Sequence, residues 1–275
     1  MTLRVIALGT GVCTNGLGDG MPNRYPPGFL VDYNNQLLLL DASEGVRYRI
    51  QKAGYDYGFL EHVAITHAHP DHCALPQLIQ AKLCRVLWDK GKNDIEKLKN
   101  LAIYMHEDLA RGFQAVWDWH HPEGTEVYKG TENWKVEPVG LNWEKEIFSG
   151  LKLKAFNVYH GFGQHPSLGY RIETDNTVIV YTGDTGLTDS LFDDVFGADL
   201  LIIDSAVPVG RGYTGGYGHL APEQIGLLAY RSQVKNVWLT HYPSIDTNEA
   251  MQNALREQGY TGGIQVVKDN DVWQK

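Results

Sequence analysis

This 275-residue sequence predicts an α/β fold, two sheets packed face to face with helices on the outside, and three observations point to it. The chain opens as a β meander, a second run of closely spaced strands fills its middle, and its last third alternates strand with helix. Sheets and helices each bury one face. Two strand-rich halves with helices between and after them are therefore satisfied by sheet against sheet, helices outermost. A chain of this length can bury a full core and reads as one domain, 1–275.

Leu3 to Leu8, Gly28 to Tyr33 and Gln36 to Asp41 are strand candidates, and Asn34-Asn35 between the last two suits a tight hairpin turn. The apolar run His62 to Thr66 ends in the polar string His67 to His72, and Ala74 to Leu87 then carries apolar residues at helical spacing. The polar string thus sits on a strand-to-helix loop. Asn93 to Trp119 reads as one or two helices, with Asp94 as N-cap and Ile95, Leu98, Leu101, Ala102, Met105 and Leu109 on one face. Its far end is aromatic, with Phe113, Trp117 and Trp119, and the segment around 93–120 is read as a helical insertion.

Val136 to Val139, Glu146 to Phe148, Leu151 to Val158, Leu168 to Ile172 and Thr177 to Tyr181 form the second strand set. Leu200 to Asp204 follows as a buried strand, Pro222 to Arg231 as a helix with proline in its first turn, and Asn236 to Thr240 as a strand. A short helix, Asn248 to Gln258, and a strand near Gly263 to Val267 complete the pattern.

Hydrophobic residues at 43% and charged residues at 21% are ordinary for a globular protein. A net charge of −9 opposes tight, sequence-independent nucleic-acid binding, which draws its energy from Lys and Arg displacing counterions. Bound divalent ions concentrate positive charge in one place, so a local phosphate site is compatible with that total. Cys13, Cys73 and Cys84 are an odd count at no metal-finger spacing, which suits a reducing compartment. With a strand directly after Met1 and no apolar run near the roughly 20 residues that span a bilayer, the expected location is cytoplasmic, with no membrane association.

Thr66-His67-Ala68-His69-Pro70-Asp71-His72 places three imidazoles and a carboxylate within six residues, on a loop that need not hold them to one helical face. Neutral imidazole and carboxylate are favoured zinc ligands, and four in one loop exceed what one ion holds while keeping an open position, so two ions are implied. His160 follows one strand, Asp184 in Thr182-Gly183-Asp184-Thr185-Gly186 follows another, and His241 ends a third. Singly, each has a common structural explanation. Together with the histidine loop they read as groups converging from strand ends on one cleft. Cys73 reads as a buried structural thiol, and His62, His106, His120, His121 and His165 have no assigned role, although His120 and His121 could line the cleft.

These motifs resemble the metallo-β-lactamase-fold hydrolases over the stretch from Leu3 through His241. The resemblance implies a four-layer αββα sandwich of two mixed sheets. It also implies that His67, His69 and His160 hold one zinc, that Asp71, His72 and His241 hold the other, and that Asp184 and a hydroxide bridge them; manganese or iron are alternatives. The run Ser167-Leu168-Gly169-Tyr170-Arg171-Ile172, and His219 lying 22 residues before His241, are similar to the tRNA 3′-processing endonucleases, tRNase Z. Only 23 residues separate His160 from Asp184, too few for the projecting tRNA-binding arm that those nucleases carry there. The extra length instead lies between His72 and His160, where it either covers the cleft or packs as core.

The expected chemistry is attack by a metal-activated hydroxide, since zinc lowers the pKa of bound water from 15.7 to about 7. Asp71 would orient it and His219 would protonate the leaving group. The expected substrate is a small-molecule or RNA phosphodiester, with Arg211 in the Gly210 to Gly218 loop as a phosphate contact. A lactone, thioester or β-lactam hydrolase is the second reading, and a metal- or metabolite-binding module the third. A homodimer is compatible with the sequence.

Overall fold

A computed structural model describes residues 2–13, 24–88, 98, 100–120, 131–211, 217–243 and 245–275. Strands β1 (Leu3–Gly9), β2 (Gly28–Tyr33) and β3 (Gln36–Leu40) form the opening antiparallel meander. Asn34 and Asn35 turn the β2–β3 hairpin at φ 53° and 66°, left-handed values that a type I′ turn requires and asparagine tolerates. β4 (Leu60–Ala64), β5 (Asn100–His106) and β6 (Asn133–Val139) then add in parallel, and β14 (Val272–Gln274) covers the free edge of β1. The resulting order is β14-β1-β2-β3-β4-β5-β6.

The second sheet repeats this plan. β7 (Glu144–Phe148), β8 (Leu151–Asn157), β9 (Leu168–Thr174) and β10 (Thr177–Tyr181) are antiparallel, and β11 (Leu200–Asp204), β12 (Asn236–Thr240) and β13 (Gly263–Val266) extend the sheet in parallel. Because β8 and β10 both oppose β9, they run with β11 and β12, and the C-terminal ends of all four point to one edge.

Alternation along β1 explains the layering. Val5 and Ala7 enter a core with Phe29, Leu40, Tyr104, Leu153, Tyr170, Ile179 and Trp238, residues of both sheets, while Ile6 and Leu8 face the other way. That opposite face is covered by α1 (Val46–Lys52), α2 (Leu75–Trp88) and α3 (Glu107–His120). α4 (Asp189–Asp194), α5 (Pro222–Arg231) and α6 (Asn248–Glu257) cover the outer face of the second sheet. The result is the expected helix, sheet, sheet, helix sandwich. Among the described residues no helix is long and apolar enough to cross a membrane.

One expected helix is corrected. Apolar spacing predicts helix over Asn93 to Trp119, yet Asn100–His106 is β5, parallel to β4 and β6, and the helix begins at Glu107. Ala102 and Tyr104 enter the core between the sheets, and Leu101, Ile103 and Met105 pack under the helices. A strand buried on both faces is an apolar run without alternation, which spacing alone cannot distinguish from a helix face. Asp94 and Ile95 lie outside the described residues.

Between His160 and Asp184 the chain makes a 3₁₀ turn (Gly161–Gly163) and then the β9–β10 hairpin. The aromatic end of α3 divides: Phe113 and Trp117 are buried in the outer core, whereas Trp119 is 82% exposed.

Candidate metal centre

Polar side chains gather where strands β3, β4, β8, β10, β11 and β12 end. Asp41 follows β3 with φ 60°, and its buried carboxylate accepts from four donors. Thr66 donates through N (2.8 Å) and Oγ1 (2.9 Å), Tyr181 through its hydroxyl (2.6 Å), and His72 through Nδ1 (2.7 Å). The last bond turns His72 Nε2 toward Asp184 Oδ1, 3.3 Å away.

Asp184 stands behind Gly183, whose φ of 59° and proximity to Thr66 exclude a side chain: a Cβ there would lie 2.7 Å from Thr66 Cβ. Thr66 Oγ1 also lies 3.0 Å from His67 Nδ1, fixing that ring. His160 Nδ1 is held 2.9 Å from the Gly218 carbonyl, where a Cβ would collide with the backbone of Tyr159 and His160.

These constraints aim the remaining ring nitrogens at one another. His69 Nδ1 lies 3.0 Å from His67 Nε2 and 3.3 Å from His160 Nε2, and each of those partners lies 3.8 Å from Asp184 Oδ2. Donors at about 2.0 to 2.1 Å from a tetrahedral ion stand roughly 3.3 Å apart, so the spacing fits. On the other side of Asp184, His241 Nε2 is 3.5 Å and His72 Nε2 3.9 Å from Asp71 Oδ2. His241 Nδ1 is 3.4 Å from both Asp184 Oδ1 and Asp204 Oδ1.

Three groups of donor atoms each fit within 4.8 Å: His67, His69, His160 and Asp184; Asp71, His72 and His241; and Asp184, Asp204, His219 and His241. His72 Nε2, Asp184 Oδ1 and both ring nitrogens of His241 are buried without a hydrogen-bond partner. Leaving such atoms unsatisfied costs about 1 to 3 kcal/mol each, a cost that a cation removes. Burial holds His67, His69 and His160 below the usual histidine range, in the neutral ligand form. Burial also opposes charge on His72 and His241, but the surrounding carboxylates together outweigh it, Asp184 and Asp41 for His72 and Asp184, Asp204 and Asp71 for His241, which is carried up to about 10. Four carboxylates, at 41, 71, 184 and 204, thus draw positive charge into one buried place.

All seven expected ligands and His219 meet here. His219 stacks on His241 (5.4 Å, 15°) and places Nδ1 2.7 Å from Asp204 Oδ2. Cys73 belongs to none of the three groups; it bridges to Ala42, and burial pushes its thiol up to about 12. His62 lies 2.9 Å from the Tyr104 hydroxyl, edge-on to Phe148, and His106 accepts from the Asp108 amide at the start of α3. His165 is exposed and edge-on to His69 at 5.3 Å. Arg211 is exposed, and the loop it begins is only partly described. The His120 side chain and His121 lie outside the described residues.

Sequence reasoning missed Asp41 and Asp204, the carboxylates behind His72 and His219. The available signal was position: each carboxylate closes an apolar strand run, Leu37–Leu40 and Leu200–Ile203.

The fold and this centre together define a metal-dependent hydrolase. A family profile described as the beta-lactamase superfamily domain matches residues 37–242, and the chain belongs to that family. It is 27% identical to the ribonuclease Z of Mycobacterium bovis, over 97% of this chain and 96% of that protein. Among solved structures it resembles the metallo-beta-lactamase fold protein YhfI from Bacillus subtilis, at 20% identity and a TM-score of 0.81 over all of both chains. The short form of human tRNase Z is also similar, at 20% identity and a TM-score of 0.73 over 98% of each chain.

Proposed function

We propose that this chain is a dinuclear zinc hydrolase of phosphodiesters, small-molecule or RNA. The observation that carries the reading is Asp184, whose carboxylate faces His67 and His160 through one oxygen and His72 and His241 through the other. His67, His69 and His160 would hold one ion and Asp71, His72 and His241 the second, with Asp184 shared. Ions so held lower the pKa of water toward about 7 and neutralise charge on an attacked oxygen.

The chain's own residues then divide the work. Asp71, the most accessible of the acids at 10% side-chain exposure, orients the attacking water. His219, held through Nδ1 by Asp204, presents Nε2 as the proton donor. The water loses one proton to solvent, its oxygen bonds to phosphorus as the bond to the leaving oxygen breaks, and that oxygen takes the His219 proton, which His219 regains from solvent. The ribonuclease Z relatives and the Ser167–Ile172 run support a phosphodiester as substrate, and the short β9–β10 hairpin argues for a substrate other than intact tRNA held by an arm.

Metal quantification followed by bis-p-nitrophenyl phosphate, short RNA, a lactone and nitrocefin tests the reading. Two zinc ions per chain and turnover of the first or second substrate are expected. Turnover of the carbonyl substrates alone would replace phosphodiester with acyl chemistry, and absence of metal would leave no hydrolase.

A further inference from the structure

A cavity of about 230 Å³ opens beside His67 and His69, between α3 and the loop carrying His165 and Pro166. From α3 it is lined by Asp108, Leu109 and Gly112, and neither Lys nor Arg is among its lining residues. Whatever reacts at the centre must place one of its substituents here or leave it to water.

Gly112 is the informative residue. It is sixth in a fourteen-residue helix, where glycine costs stability relative to alanine. Helical glycines usually earn that position by close packing, as Gly226 of α5 does: a Cβ there would lie 2.7 Å from Leu255 Cα. At Gly112 a Cβ would meet nothing within 4 Å, so packing does not require the glycine. What its missing side chain provides is the open volume beside His67 and His69.

The lining specifies the occupant. Asp108, the one acidic residue there, is paired with Arg111 across 3.2 Å, and no Lys or Arg lines the cavity to neutralise a phosphate. Leu109 and Pro166 offer apolar surface. The His69 and His165 rings, edge to face at 5.3 Å, offer the geometry in which aromatic rings pair, at 4.5 to 7 Å between centroids.

We propose that this cavity, kept open by Gly112, receives a neutral aromatic ring of the substrate, a nucleobase or an aryl group bonded to the reacting centre. The proposal rests on the hydrolase reading of the neighbouring cluster. It narrows the substrate to ring-bearing small molecules or a single nucleotide unit.

Calorimetric binding to the zinc-loaded protein tests it with two probe pairs, phenylphosphonate against methylphosphonate and benzoate against acetate. Adenosine monophosphate in the same assay separates a nucleobase from a simple aryl group. The ring-bearing member of at least one pair should bind about tenfold or more tighter. That preference should shrink in Gly112→Ala and fall to near one in Gly112→Leu, while Gly112→Ala melts no lower than the parent. A ring preference confined to the carboxylate pair supports the cavity assignment and counts against phosphodiester chemistry. Equal binding within both pairs, or a preference that survives Gly112→Ala and Gly112→Leu, overturns the assignment whatever reaction the centre performs.

Discussion

His219 donates from Nδ1 to Asp204 Oδ2 across 2.7 Å, and the same carboxylate places its other oxygen 3.4 Å from His241 Nδ1. One buried acid therefore orients both the proposed proton donor and a proposed ligand. Burial opposes charge on Asp204, but His219 and His241 together outweigh it and hold the group below the usual carboxylate range.

His219→Ala should lower kcat by about 10² to 10⁴, the range of a lost general acid, with metal content unchanged. Asp204→Asn should cost about 10- to 100-fold, as loss of an orienting partner does. Turnover and metal content measured on the same samples decide between roles, because His219 also falls within a possible metal-holding group. Loss of an ion in His219→Ala would make that residue a ligand and leave the proton donor unassigned.

Asp41 touches no substrate in this reading, yet it fixes Thr66, Tyr181 and His72 at once. Asn accepts the left-handed backbone at this position but offers one acceptor oxygen and no charge. Asp41→Asn should weaken metal affinity about 10- to 100-fold and destabilise the fold by about 2 kcal/mol or more. Chelator competition and urea unfolding measure the two effects. Unchanged affinity with lowered stability would confine Asp41 to a structural role.

Removing metal should destabilise the protein, because buried donors would lose the positive charge that satisfies them. Free metal at a hundred times Kd stabilises by about 2.7 kcal/mol, a shift of roughly 5 to 10 °C in Tm for a chain of this size. Thermal unfolding with chelator, then with zinc restored, should show a reversible drop. A melting point indifferent to both would mean that the cluster satisfies itself by protonation.

How much of this the sequence disclosed follows from where each signal resides. The histidine loop at 67–72 was legible because ligand density is a local property, and His160, Asp184 and His241 because each closes a run with strand character. Asp41 and Asp204 close such runs too, but a lone acid there resembles any turn residue until its partner at 72 or 219 is seen in space. α1 escaped because Gly45 provides no side-chain cap, and β14 because three residues gain strand identity only by pairing with β1. β5 reads as helix because burial on both faces erases the alternation that marks a strand.

Lys82 gives a pH test far from the chemistry. It is fully buried on α2, its Nζ donates to the Gly58 carbonyl at 2.5 Å, and burial pulls its pKa down to about 7 against the partial support of Glu61 and Asp56. Below pH 7 folded and unfolded chains both carry the proton, and the folded state bears the full cost of burying it. Between about 7 and the unfolded value near 10.5, the folded chain has released a proton that the unfolded chain still binds, so stability rises with pH. The slope approaches about 1.4 kcal/mol per pH unit, the free energy of a tenfold change in proton activity for one proton released. Lys82→Met removes the titration while filling similar space, so the parent should gain about 2 kcal/mol relative to the variant between pH 7 and 9. Urea unfolding of both proteins at the two pH values measures that difference. A constant difference would mean that the lysine stays protonated throughout, with Glu61 and Asp56 compensating its burial in full.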